Sequence, residues 1–151
     1  MATSQAVVPA GTMLLPGGEE AKFWSAQFGA QRSVEGSVLW ASPPHAEAPE
    51  LANADQIKGC IALVRRGLPP DAPPGMECTF RDKAQRCIAA GAIAVVIVNK
   101  EDRPLSPGGN DKVEVPVVCV YGTTGDSLVE GTRVSLRFNV ARGVKKAQKL
   151  L

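Results

Sequence analysis

The chain has 151 residues, 44% of them hydrophobic, which suits one folded domain with a continuous core and leaves no room for a second of full size. The net charge of +2 hides an asymmetry: Arg142, Lys145, Lys146 and Lys149 come with no acid, so the body before them, holding all 15 acidic residues, is slightly acidic. The 15 Gly and 12 Pro follow no period, which excludes collagen-like or low-complexity chain and predicts short elements joined by turns.

Met1 to Pro9 offers neither a basic start nor the apolar core of about 7–15 residues that a secretory signal needs, so a cytoplasmic protein is expected. Ala6–Val8, Phe23–Phe28 and Val38–Ala41, set between Gly-Gly, Pro-Gly and Pro-Pro punctuation, predict short strands. Residues 42–56 form a polar, proline-interrupted connection. Ile57–Arg65 then gives a nearly continuous apolar run, expected as a strand buried on both faces.

The four prolines of Leu68–Glu77 forbid helix and central strand, so this stretch is expected to project as a stiff loop. A helix should follow, with Thr79 as N-cap, Asp82 completing a capping box, and Phe80, Ala84, Cys87 and Ile88 on one apolar face. Lys83, Gln85 and Arg86 are assigned to water. Gly91 supplies the stop, and Ile93–Val98 reads as a buried strand parallel to the first, joined by a right-handed crossover. The run Ala89–Val98 is broken by Gly91 and falls short of the roughly 18 residues of a membrane span.

A Pro-Gly-Gly loop, 103–112, leads to Val115–Tyr121, whose second residue, Pro116, places the start of a strand at a sheet edge. Thr123 or Thr124 is expected to cap a short helix ending at Gly131. Thr132–Val140 alternates polar and apolar residues and predicts an edge or half-covered strand. Cys60, Cys78, Cys87 and Cys119 lack a C-x-x-C spacing, and reduced, buried thiols are expected, a structural disulfide being the alternative.

Gly59-Cys60-Ile61-Ala62-Leu63-Val64-Arg65-Arg66-Gly67, Cys78-Thr79-Phe80-Arg81-Asp82-Lys83-Ala84 and Ala90-Gly91-Ala92-Ile93-Ala94-Val95-Val96-Ile97-Val98-Asn99 together resemble the protease-associated (PA) domain family. The likeness continues through Val115–Val118 and Gly122–Leu128 and back to Phe28-Gly29. It implies a β-rich α/β domain of the swivelling β/β/α type, with a partly closed mixed sheet or barrel and two or three short helices. It also implies a module without catalytic residues that acts as a lid, a substrate selector or a protein-ligand receptor. The domain is placed at residues 7–140, between an arm at 1–6 and a basic tail at 141–151. Two departures stand out: the Leu68–Glu77 insertion between the Arg-Gly turn and the cysteine, and the missing signal segment.

No enzyme, cofactor, small-molecule substrate or nucleic-acid partner is expected. His45, the one histidine, sits in Ser42-Pro43-Pro44-His45-Ala46 with no nucleophile elbow and reads as a solvent-exposed loop residue. The scattered Cys and acidic residues show no metal-ligand spacing. Partner contact is assigned to Arg65 and Arg66, whose guanidinium forks suit a carboxylate or an aspartate chain end, solvated strand-end charges being the alternative. It is also assigned to Leu68, Pro69, Pro70, Pro73, Pro74 and Met76 of the proline loop, where a tolerated insertion is the alternative. Lys145, Lys146 and Lys149 of the tail complete the set, a frayed tail being the alternative. The residues thus predict a non-catalytic subunit of an intracellular assembly, conceivably cytoskeletal or ciliary. The rival readings are a substrate selector acting with a peptidase and a secreted or luminal sorting-receptor fragment.

Overall fold

The computed structural model describes residues 8–139. Seven strands run in chain order: β1 (Gly11–Leu14), β2 (Glu20–Ser25), β3 (Val34–Trp40), β4 (Ile61–Arg65), β5 (Ala94–Val98), β6 (Val117–Val120) and β7 (Arg133–Phe138). Helices α1 (Ala54–Ile57), α2 (Phe80–Ala89) and α3 (Gly122–Ser127) lie between them.

The strands close into a mixed barrel in the order β1-β2-β6-β5-β4-β3-β7. Strands β3, β4, β5 and β6 form a parallel run, and the remaining pairings are antiparallel. Two cores result from the alternation of side chains across the pleat. Met13, Phe23, Val38, Ile61, Leu63, Val96, Val118 and Leu136 meet inside the barrel. Ala62, Val64, Val95, Ile97, Val117 and Cys119, on the opposite face of the parallel run, pack against Ile57 of α1 and Ala84 and Cys87 of α2. This double coverage explains why β4 and β5 read as unbroken apolar runs.

Helix α2 starts and stops as its residues dictate. The Thr79 hydroxyl accepts from the Asp82 N–H at 3.0 Å, and the Asp82 carboxylate accepts from the Thr79 N–H at 3.0 Å. At the other end Gly91 takes φ +95°, while the N–H groups of Gly91 and Ala92 return to the carbonyls of Ile88 and Cys87. The β4–α2–β5 unit is therefore the expected parallel crossover.

Several expectations are corrected. Residues 57–60 are not strand: α1 ends at Ile57 and Gly59, at φ +81°, turns the chain into β4. Val8 lies outside any strand, β2 starts at Glu20, and β1 was not foreseen. Neither β6 nor β7 is an edge, because the barrel closes and Pro116 stands just before β6. The cap of α3 is Tyr121, without a side-chain bond, and the helix ends at Ser127. Asp102 performs the capping role, accepting from the Thr123 N–H at 3.0 Å and hydroxyl at 2.8 Å.

Candidate partner-binding site

The carboxyl ends of β4 and β5 open onto a cavity of about 390 Å³. Parallel strands leave such crevices where the chain departs from their ends. Arg65 and Arg66 come from the end of β4, Val98, Asn99 and Lys100 from the end of β5, Leu68 and Pro70 from the proline loop, and His45 from the 42–47 connection. That connection begins with a cis Ser42–Pro43 bond and is moored by Asn53, whose side chain accepts from the Ser42 N–H and donates to the Trp40 carbonyl.

The walls are held by a group assigned above to water. Lys83 is 1% exposed, and its ammonium donates to the carbonyls of His45 and Gly67, each at 2.6 Å. Arg86 is half-buried and donates to the Ala46 carbonyl at 2.7 Å and the Cys78 sulfur at 3.2 Å. The water-facing assignment fails because the 42–47 and Gly67 segments fold over this flank of α2. Their turn-bound carbonyls need donors, and long cationic side chains supply them. Gln85 does face solvent.

His45 is half-buried, contrary to the exposed assignment. Burial holds its imidazole below the ordinary range, and Lys83, Arg65 and Lys100 lower it further, while Glu47 opposes them. Burial likewise lowers the Lys83 ammonium, with Cys78 and Glu47 acting against it. Three cations, Arg65, Arg66 and Lys100, line the cavity.

The predicted contact residues divide. Arg65 pairs with Asp126 at 3.0 Å and lies 4.5 Å over the Trp40 ring. Arg66 donates to Asn99 Oδ1 at 3.0 Å. Leu68 and Pro69 are half-buried beside Gly67, and Met76 is half-buried farther along, while Pro70, Pro73 and Pro74 are exposed. The cavity thus gathers Arg65, Arg66, Leu68 and Pro70 but not Pro69, Pro73, Pro74 or Met76. Lys145, Lys146 and Lys149 lie outside the described residues.

Sequence reasoning missed Lys83, Asn99 and Lys100. Asn99 is 3% exposed; besides holding Arg66, it accepts from the Lys100 N–H and donates to the Arg103 carbonyl. A polar residue directly after five buried strand residues was the available signal. The thiols are free, with Cys87 and Cys119 buried, as expected, and Cys60 and Cys78 only half-buried. Cys60 lies in the turn before β4 instead of within it.

A closed mixed barrel with a crossover helix defines a small domain of the swivelling β/β/α class. The chain belongs to the PA domain family, whose model matches residues 17–128. It is 34% identical to aminopeptidase YwaD of Bacillus subtilis over 83 residues, covering 53% of this chain and 16% of that protein. It is 34% identical to a PRADC1-like protein of Drosophila melanogaster over 54% of this chain and 36% of that one. With the E3 ubiquitin-protein ligase RNF130 of Rattus norvegicus, 30% identity extends over 77% of this chain and 28% of the ligase. The chain therefore spans between about a sixth and just over a third of these relatives' lengths. Among solved structures, a zinc aminopeptidase from Bacillus subtilis superposes with a TM-score of 0.65 at 25% identity, over 85% of this chain and 30% of that one. The subtilisin-like protease Apa1 of Pseudoalteromonas, at 16% identity and TM-score 0.60, covering 88% of this chain and 34% of the protease, shares the fold.

Proposed function

We propose that the chain is a non-catalytic protein-recognition module that engages an acidic segment of a protein partner at the cavity between the ends of β4 and β5. The observation that carries this reading is the convergence of Arg65, Arg66 and Lys100 beside His45 around one cavity. Such a field attracts carboxylates and steers their approach. The non-catalytic character draws support from Cys78, whose sulfur is directed at the carbonyls of His45 and Ala46 and at Arg86. The proposed setting is a larger intracellular assembly, with cytoskeletal or ciliary structures as its home, and the four free thiols favour a reducing compartment.

A second reading, selection of substrates for a peptidase, is favoured by the aminopeptidase relatives. Affinity capture followed by mass spectrometry tests both, comparing the native chain with an Arg66→Glu/Lys100→Glu variant. Recovery of an acidic structural protein by the native chain alone supports the first reading, and stoichiometric recovery of a peptidase supports the second. Equal recovery by both chains contradicts the proposed contact face.

A further inference from the structure

The cavity is charged at one side and apolar at another. Lys100 makes no ion pair among the described residues, and its Nζ lies 2.9 Å from where a Cβ on Gly67 would stand. Only glycine there, at φ +80°, admits the ammonium so close to the chain. Beside it, Asn99 occupies one of the five donors of the Arg66 guanidinium, which fixes the fork and leaves other donors for a guest. Leu68 and Pro70 supply an apolar wall.

One Lys83 ammonium bonded to both His45 and Gly67 ties the 42–47 connection to the turn after β4, so the two segments that flank the cavity are held in place. A polypeptide's terminal carboxylate is a planar anion suited to a guanidinium fork. A space of about 390 Å³ lies at the low end of ligand-sized pockets and suits one terminal residue more than a folded surface.

We propose that the cavity receives the free carboxyl terminus of a partner polypeptide, its carboxylate held between Arg66 and Lys100 and an apolar last side chain lying against Leu68 and Pro70. The inference rests on the acidic-partner reading above and narrows it to a chain end. Arg65, committed to Asp126 and Trp40, shapes the rim and contributes charge without grasping the ligand.

Fluorescence anisotropy with three short labelled peptides tests it: one ending in leucine with a free carboxylate, the same peptide as its C-terminal amide, and an amidated peptide with internal aspartates. The free acid is expected to bind at least about tenfold more tightly than its amide, a difference of about 1.4 kcal/mol. Arg66→Gln and Lys100→Gln should each reduce binding of the acid several-fold while the far-ultraviolet circular dichroism stays native. Stronger binding of the internal-aspartate peptide overturns the chain-end inference and leaves the acidic-partner reading standing. No binding of any peptide by the natively folded chain overturns both. Displacement of the acid by inorganic phosphate at lower concentration than by acetate also overturns the carboxylate assignment, in favour of a phosphate-bearing ligand.

Discussion

The Lys83 ammonium lies 2.6 Å from the Gly67 carbonyl oxygen, in the turn where Gly67 sits at φ +80°. A second bond of 2.6 Å to His45 makes this side chain the link between helix α2 and both lips of the cavity. Lys83→Met keeps much of the side-chain volume but leaves two carbonyls without their donor. Each orphaned group costs roughly 1–3 kcal/mol, so a loss of about 2–6 kcal/mol is expected in urea unfolding, with peptide binding lost alongside. A change below about 0.5 kcal/mol would show that the staple is dispensable.

Helix α2 is held at its start by the reciprocal pair Thr79 and Asp82. Thr79→Ala should cost about 1 kcal/mol. The bond from the Thr79 backbone N–H holds the Asp82 carboxyl below its ordinary range. In the window below the ordinary value of 3.8 the unfolded chain then binds more protons than the folded one. The stabilisation is present above that value and is lost as pH falls through the folded one. Asp82→Asn should flatten this acid limb of the stability curve.

The single histidine makes the cavity field directly readable. Burial and then the neighbouring cations hold the folded His45 below its unfolded value, so the unfolded chain takes up a proton first as pH falls. Stability should therefore decline as pH drops below about 6.5, and His45→Asn should remove that decline. Proton NMR should show the imidazole titrating below the ordinary value and moving upward when a carboxylate occupies the cavity. Titration at or above 6.5 without ligand would contradict the field described here.

Thiol labelling separates two classes of cysteine. Burial pushes Cys87 and Cys119 up to about 12, so both stay protonated and shielded near neutral pH. Maleimide at pH 8 should modify the half-buried Cys60 and Cys78 and leave the other two until the chain is unfolded. Rapid native labelling of Cys87 would mean that α2 does not cover the sheet as described.

Helix α3 approaches β5 through Gly125, where a Cβ would collide with the Val98 side chain. Gly125→Val should destabilise the fold by about 1–3 kcal/mol through overpacking, measured as a lowered thermal midpoint. The same change displaces Val98 at the cavity floor and should weaken the leucine-ended peptide.

The β4–α2–β5 unit was legible because its signals are local: a capping pair three residues apart, a glycine at the helix end and β-branched runs buried on two faces. Barrel closure was not legible from local pattern, and only the family resemblance implied a partly closed sheet or barrel. The pairing of β1 with β7 joins Gly11 to Phe138, and no periodicity within either segment encodes such a partner. For the same reason the alternation in β7 correctly foretold one packed face and wrongly suggested an edge. Lys83 shows a different limit. Its place next to Ala84 and four residues before Cys87 puts it on the covered flank of the helix, but a lysine is assigned to water unless distant carbonyls are known to be waiting. Arg66 was legible as a strand-end cation, whereas its partner Asn99 and neighbour Lys100 belong to the next strand and came to it only through the parallel register of β4 and β5.

The placement of the contact face is tested most directly by an NMR titration of the isotopically labelled chain with the leucine-ended peptide. The account predicts amide shifts concentrated at Arg65–Leu68 and Val98–Lys100, together with a shift of the His45 ring. Shifts concentrated at the opposite groove, around Thr12, Gln31 and Phe138, with the β4 and β5 ends unmoved, would contradict it.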